Sequence, residues 1–247
     1  MKSNTQNPAL RHALLWIALY VAVANIGQAL SEAMGVPDSM TSLLLFLLSG
    51  FFWMKWKKGE GLKWTAFWKI TGEDGRRALY FIPLGLMILI QFSQGIEKAL
   101  TPLTLAIIIL KMISVGFLEE AIFRGLLLDA VAKRSGVNRA IVISGVTFGV
   151  GHIVNLAQGY SLSDQLFQIL AAVAIGILLA LLATRTGNLV PGSLFHILFN
   201  ISGSVALKGT VQQEMTALLL ILVLCAGYGF AILRLQPLPQ ERVLLAD

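Results

Sequence analysis

Charged residues are scarce in this sequence: they make up 13% of its 247 residues, against about 25% in a typical soluble domain. Apolar residues make up 56%, and the mean hydropathy is +0.77. This composition excludes a soluble globular domain and indicates an integral membrane protein. The single cysteine, Cys225, excludes an intrachain disulfide as a source of stability.

Apolar runs recur along the whole chain at the length that a membrane-spanning helix needs, about twenty residues. We predict eight such helices, at roughly residues 11–30, 39–56, 78–100, 103–128, 138–156, 165–184, 188–206 and 214–234. The segments between them are too short to form a soluble domain. The predicted fold class is therefore all-α, a polytopic membrane helix bundle of about eight transmembrane helices in a single integral-membrane domain, 1–247.

The basic residues cluster between the apolar runs, so the net charge of +6 does not indicate a nucleic-acid partner. Cytoplasmic loops of membrane proteins are enriched in Lys and Arg. An eight-helix topology with both termini in the cytoplasm leaves only Lys98 and Lys208 in the opposite loops. It gives the cytoplasmic loops the remaining loop cations: Lys55, Lys57, Lys58, Lys63, Lys69, Arg76, Arg77, Lys133, Arg134, Arg139 and Arg185.

Two adjacent glutamates and an arginine interrupt the fourth apolar run, as Glu119, Glu120 and Arg124. A charge at the centre of a bilayer costs roughly 2.5–3.5 kcal/mol on insertion scales, so such residues usually have a function. Residues four apart share a helical face, which predicts a pair between Glu120 and Arg124. Glu119 points about 100° away from that face, so the pattern predicts one carboxylate in excess of a structural ion pair.

The fifth run contains Phe148 and His152 one turn apart, with Asn155 three residues further on. Gly145 and Gly149 lie on one helical face of the same run. Small residues at this spacing let a neighbouring helix approach closely. Taken alone, His152 is interpreted as a packing residue that is held by a hydrogen bond.

The seventh run contains His196 and Asn200, which the helical period places on one face. A helix rises about 1.5 Å per residue, which puts Glu119 about 13 Å and His196 about 12 Å from the cytoplasmic helix ends, with His152 somewhat deeper. Intramembrane ionisable groups usually face one another or a water-filled cavity. We therefore predict that these side chains meet.

A carboxylate next to an imidazole in a low-dielectric site is a general base that can activate water. A second imidazole and an amide are donors suited to an oxyanion. Together they indicate hydrolysis of an acyl bond, here a peptide. A non-catalytic membrane scaffold remains an alternative, and so does a proton-coupled transporter, because carboxylate and imidazole chains also relay protons.

Glu119-Glu120-x-x-x-Arg124, Phe148-x-x-x-His152 and His196-x-x-x-Asn200 resemble, in this order, the three motifs of the CPBP family. That family includes the CAAX prenyl endopeptidases and the bacterial Abi proteins linked to bacteriocin processing and self-immunity. The resemblance spans residues 117–200 and includes Phe123. It implies an intramembrane endopeptidase of the bacterial plasma membrane, with a catalytic core at about 103–206 and a membrane-associated peptide or protein as substrate. A non-catalytic immunity protein of the same fold is the alternative within the family.

The resemblance also implies roles for the motif residues. Glu119 and His152 would activate the water, and His196 and Asn200 would stabilise the oxyanion, in a site that opens toward the cytoplasm. No cofactor is favoured, because the two histidines lack the spacing that presents both from one helix face; zinc held by Glu119, His152 and His196 is the alternative. The residues that would shape and support the site are Glu120, Arg124, Phe148, Phe123 and Asn155.

Overall fold

The computed structural model describes residues 8–57, 81–158 and 161–235. The described part is helical without strands, apart from one isolated antiparallel bridge between Ile96 and Ala206. The predicted all-α class is confirmed. The helices are α1 (Pro8–Ala33), α2 (Ser39–Lys57), α3 (Ile82–Gln91), α4 (Pro102–Glu119), α5 (Leu128–Ser135), α6 (Val137–Gly151), α7 (Leu162–Thr186), α8 (Val190–Val205) and α9 (Val211–Leu235).

Within the described residues, five helical stretches are long and apolar enough to cross a membrane, which agrees with an integral membrane protein. Long aliphatic and aromatic side chains cover their outer surfaces, as expected where lipid tails replace water. The stretches are Pro8–Ala33, Ser39–Trp56, Val137–Leu156, Leu162–Thr186 and Val211–Arg234.

Three of the predicted spans, the third, fourth and fifth, differ in detail from simple transmembrane helices. The third is shorter than expected, because α3 ends in a 3₁₀ turn (Phe92–Gln94) and Gly95 then adopts a positive φ of 97°. The fourth is longer, because a π-helical segment (Glu120–Leu127) joins α4 to α5 in one continuous helix. The fifth changes from α6 to a 3₁₀-helix at His152 (His152–Gln158).

The bundle is held by a small number of close helix pairs around the fourth run. α4 packs between α2 and α8, α1 lies against both α2 and the π segment, and α6 packs against α7 along most of its length. The side chains that surround the glutamates from their own helix, Leu118, Ala121 and Ile122, are fully buried. The polar residues of the fourth run therefore lie in the interior of the bundle.

Glycines bring α6 and α7 into backbone contact, as the small-residue spacing predicted. A Cβ atom added to Gly145 would lie 2.5 Å from the backbone nitrogen of Ile177, and one added to Gly149 would lie 2.6 Å from that of Val173. Gly176 faces them from α7, where a Cβ atom would lie 2.9 Å from the carbonyl oxygen of Gly145. This contact fixes the position of Phe148 and His152 relative to α7.

We expect Gly149→Ala to lower the free energy of unfolding by about 1–3 kcal/mol, because the added methyl group forces two packed backbones apart. Gly50→Ala is the matched control, since Gly50 lies on α2 with no heavy atom within 4 Å of the added Cβ. It should be neutral or stabilising by up to about 1 kcal/mol, the helix-propensity difference. Denaturation of both purified variants in mild detergent measures the effect. Equal stability of the two would contradict the close packing of α6 on α7.

The orientation in the membrane stays a prediction. With Cys225→Ser as background, Lys98→Cys and Lys208→Cys should react with a membrane-impermeant maleimide in intact cells, because the Lys/Arg asymmetry places both loops outside. Lys63→Cys, in the basic loop outside the described residues, should react only after the cells are opened. The reverse labelling pattern would overturn both the cytoplasmic termini and the cytoplasmic side of the site.

Candidate active site

The two glutamates lie at the junction between α4 and the π segment. Glu119 ends α4, Glu120 begins the π segment, and their exposed fractions are 7% and 1%. The amide of Leu128 donates to the carbonyl of Phe123 in the i+5 pattern of a π-helix, and the Ser144 hydroxyl of α6 donates to the same oxygen at 2.8 Å. Such segments are frequent at functional sites. Here the segment presents Glu119 toward α1 and Glu120 toward α8.

The predicted pair between Glu120 and Arg124 is present. The Nη1 atom of Arg124 lies 2.9 Å from Oε1 of Glu120, and the exposed fraction of the arginine is 0%. Its Nη2 atom donates to the carbonyl of Gly176 on α7 at 3.3 Å. The guanidinium also stacks over the ring of Phe148, 4.3 Å from its centroid, a cation–π contact that is strongest when desolvated. Arg124 therefore ties α6 and α7 to the glutamate helix.

His196 lies between the two glutamates. Its Nδ1 atom is 2.9 Å from Oε1 of Glu120, and its Nε2 atom is 3.3 Å from Oε2 of Glu119. A carboxylate paired with an arginine only accepts hydrogen bonds, so the Glu120 contact assigns a proton to Nδ1. In a neutral ring Nε2 would then be an acceptor facing the acceptor oxygen of Glu119. A hydrogen bond between Nε2 and Oε2 of Glu119 would therefore require one further proton, on either partner.

Phe148 separates the two histidines. Its ring makes edge contacts with His152, at a centroid distance of 5.0 Å, and with His196, at 5.4 Å. It also contacts Phe123 at 5.3 Å. The Nδ1 atom of His152 lies 3.1 Å from the carbonyl of Phe148, and within the described residues no hydrogen bond or ion pair joins His152 to Glu119. The motif histidines thus share an aromatic neighbour, and the imidazole next to Glu119 is that of His196.

The two candidate asparagines lie in different surroundings. Asn200 is half-buried one turn beyond His196 on α8. Asn155, in the 3₁₀-helix after His152, donates to Oε1 of Gln168 on α7 at 3.1 Å. The same oxygen accepts a hydrogen bond from Gln165 at 3.2 Å. Asn155 therefore belongs to an amide cluster between the 3₁₀-helix and α7, whereas Asn200 shares the helix of His196.

Sequence reasoning missed Tyr20 and Gly116. The hydroxyl of Tyr20 on α1 donates to Oε1 of Glu119 at 2.8 Å. A Cβ atom on Gly116 would lie 2.6 Å from Cγ1 and 3.1 Å from the backbone nitrogen of Ile197, so this glycine lets α4 approach α8 beside the glutamate–histidine contact. The glycine one turn before the glutamates was a usable signal; nothing near Tyr20 in the sequence points to Glu119.

A zinc ion does not fit the donors as they are placed. The ring nitrogens of His196 already face the two glutamates, and Arg124 holds its positive charge 2.9 Å from one of them. Among the residues with described positions, no three His, Cys, Asp or Glu side chains form a metal-binding group. Zinc sites require three or four such ligands around one point. The reaction proposed for this site uses no metal ion.

A narrow crevice reaches Glu120 from the end of the bundle where α7 ends and α8 begins. Its total free space, including the open mouth, is about 220 Å³. A Cβ atom on Gly192 would lie 3.5 Å from Oε2 of Glu120, so the missing side chain of this glycine leaves that oxygen next to the crevice. The other lining residues are Phe81, Leu179, Leu182, Ala183, Thr186, Asn188, Leu189 and Pro191.

The fold and the site together define a helical membrane protein with a carboxylate–imidazole cluster buried in its interior. The family model described as Rce1-like, type II CAAX prenyl endopeptidase, matches residues 101–202, a range that contains all three motifs. The resemblance to the CAAX protease family is confirmed, and the match supports a CAAX-type intramembrane protease in general. Neither a curated protein nor a solved structure matches the chain.

Proposed function

We propose that this protein is an intramembrane endopeptidase that hydrolyses a peptide bond of a membrane-associated peptide or protein. The observation that carries the proposal is the buried carboxylate of Glu119, with one oxygen facing the imidazole of His196 at 3.3 Å. Glu120 has Arg124 as its counter-ion, whereas Glu119 has no arginine or lysine partner within the described residues. The excess carboxylate is the group available to act as a base.

In the proposed reaction, Glu119 removes a proton from a water molecule, and the oxygen of that water forms a bond to the carbonyl carbon of the peptide. His152, whose ring lies across Phe148 from His196, assists the water. Glu120 holds the Nδ1–H of His196, so the Nε2–H of this residue and the amide of Asn200 donate to the oxyanion that develops on the carbonyl oxygen. The carbon–nitrogen bond then breaks, and the proton taken up by Glu119 passes to the amine product.

Two features support access from the cytoplasmic side. The crevice beside Glu120 opens where Arg185 and the start of α8 lie, a loop that the charge distribution predicts to be cytoplasmic. The π segment continues into α5, whose last turn carries Lys133 and Arg134. A substrate would therefore reach Glu120 and its neighbours from the cytoplasmic end of the bundle. A helical substrate would have to expose an extended segment at that end.

The test is direct proteolysis by the full-length protein in detergent or vesicles, offered a library of membrane-anchored peptides, with the products identified by mass spectrometry. We expect cleavage at a defined bond next to the anchored segment. The His196→Gln variant should lose activity at least about 100-fold, since it removes the imidazole beside the base. An unaltered, folded protein that cleaves no member of the library, or a His196→Gln variant as active as the parent, would count against the proposal.

We further expect hydrolysis to need no bound metal, because His196 is engaged by both glutamates rather than directed at a common point with His152. The measurement is elemental analysis of active protein, with assays before and after treatment with a chelator. Activity should be unchanged by chelation at pH 7 and by added zinc. Near-stoichiometric zinc, with activity lost on its removal and restored by its return, would show that the donors rearrange around a metal.

A further inference from the structure

Tyr20 contacts the proposed base from outside the region that carries the family motifs. It lies on α1, ninety-nine positions before Glu119, and its hydroxyl donates to Oε1 of that residue at 2.8 Å. The family match begins at residue 101, so it contains no part of α1. Among the described residues, this is the only hydrogen bond that Glu119 receives.

The two oxygens of Glu119 are consequently in different environments. Oε1 is occupied by the phenol, whereas Oε2 is buried, lies 3.3 Å from Nε2 of His196 and has no hydrogen-bond partner in the described part of the chain. A buried carboxylate oxygen without a donor is rare, and an ordered water or a reacting group usually explains it. Oε2 is thus the oxygen of Glu119 that no donor occupies.

Packing holds Tyr20 in this position. The inward-facing side of α1 carries Trp16 and Ala13, both buried, one and two turns before Tyr20 respectively. Trp16 packs edge-on against Phe52 of α2 at a ring-centroid distance of 4.6 Å, and α1 contacts the π segment directly. A tyrosine has few rotatable bonds, so its hydroxyl is a rigid donor compared with the flexible side chain of Glu119.

We propose that Tyr20 is a positioning residue for the active site: its hydroxyl fixes Oε1 of Glu119 and leaves Oε2 directed at His196, beside which the reacting water would bind. This inference rests on the proposed function, because it assumes that Glu119 is the base. It adds a residue that the three motifs do not indicate, and it makes α1 part of the active site. A base held in one rotamer approaches the water in the reactive geometry more often than a free one.

The test is Tyr20→Phe in the full chain, which removes one oxygen atom and keeps the ring. We expect kcat to fall about ten-fold with KM unchanged, the size of effect associated with losing one hydrogen bond to a charged group. Tyr228→Phe is the matched control, because Tyr228 is also buried but lies on α9; its kcat should stay within about two-fold of the parent, a change of well under 1 kcal/mol.

A second comparison separates positioning from a general loss of structure. In a Glu119→Gln background, Tyr20→Phe should cause no further fall in the residual rate, since residues that act as a unit are not additive. Infrared difference spectra should show a carboxyl-region change on Tyr20→Phe in the parent and none in the Glu119→Gln background. A ten-fold fall in both backgrounds, or no spectral change in the parent, would overturn the role of Tyr20.

The outcomes distinguish this inference from the function on which it rests. If Glu119→Gln abolishes hydrolysis while Tyr20→Phe is as active as the parent, Glu119 is the base and Tyr20 does not position it. If Glu119→Gln retains full activity, or the parent hydrolyses nothing, the proposed function fails and the positioning role fails with it. If both variants lose activity in the pattern described, both proposals stand.

Discussion

Replacing Glu119 with glutamine should lower peptide hydrolysis at least about 100-fold, the low end of the range for general-base catalysis. Glutamine keeps the shape of the side chain and can still accept the hydrogen bond from Tyr20, which lies 2.8 Å from Oε1. It cannot take a proton from water. The loss should appear in kcat, because the interaction that is removed forms only as the water reacts.

The folded state should survive this change, because no arginine or lysine in the described part of the chain depends on Glu119 as a counter-ion. Monodispersity and thermal unfolding in detergent check this directly. The matched control is Glu32→Gln, since Glu32 is exposed near the end of α1 and its carboxylate accepts a hydrogen bond from Gln28 in its own helix. A monodisperse Glu119→Gln protein with near-parental activity would remove Glu119 from the mechanism.

The convergence of the motifs could be predicted from the sequence for simple geometric reasons. All α-helices that cross one bilayer rise by about 1.5 Å per residue. Positions counted from the helix ends therefore give comparable depths for Glu119 and His196. In the structure these two side chains are in contact. The spacing of four residues was enough to predict the pair between Glu120 and Arg124. Both predictions depend only on regular helix geometry.

The partners across the bundle could not be predicted in the same way. In a membrane protein, apolar side chains cover both the lipid-facing and the buried sides of a helix, so hydropathy does not show which side of α1 faces inward. Tyr20 reaches Glu119 only because α1 packs on the π segment. That segment is itself a departure from regular geometry without a sequence signal, and so is the change to a 3₁₀-helix at His152.

The assignment of the two histidines shows the consequence of these departures. The resemblance implies that His152 works with Glu119 and that His196 works with Asn200. In the described structure His196 contacts both glutamates, whereas His152 contacts Phe148. The contact of His196 with Glu119 is compatible with an oxyanion role for His196, since a donor next to the base is also next to the carbonyl that the water attacks.

Replacing Arg124 with methionine should destabilise the protein by about 3–5 kcal/mol, the usual result of leaving one partner of a buried ion pair without the other. Arg124 and Glu120 are both almost completely inaccessible, and their charges lie 2.9 Å apart. Without the guanidinium, the carboxylate of Glu120 stays buried with His196 as its remaining partner. The contact with Phe148 and the hydrogen bond to Gly176 are lost at the same time.

The same helix offers a matched control with the same spacing. Lys133 and Asp129 form an ion pair of the i,i+4 type at 3.3 Å, but 54% of the lysine side chain is exposed. Exposed pairs of this kind contribute about 0–1 kcal/mol, so Lys133→Met should change the free energy of unfolding by no more than about that amount. Denaturation of both variants in the same detergent gives the comparison, and equal losses would show that burial does not determine the contribution of the Arg124 pair.

The double variant Arg124→Met, Glu120→Gln separates stability from activity. It removes both buried charges, so it should recover most of the stability that Arg124→Met alone loses, as buried ion pairs replaced by uncharged groups usually do. Activity should not recover, because the amide of glutamine can donate as well as accept, so it no longer assigns the proton to Nδ1 of His196 as the carboxylate of Glu120 does at 2.9 Å. A double variant that regained activity together with stability would show that Glu120 and Arg124 only hold the bundle together.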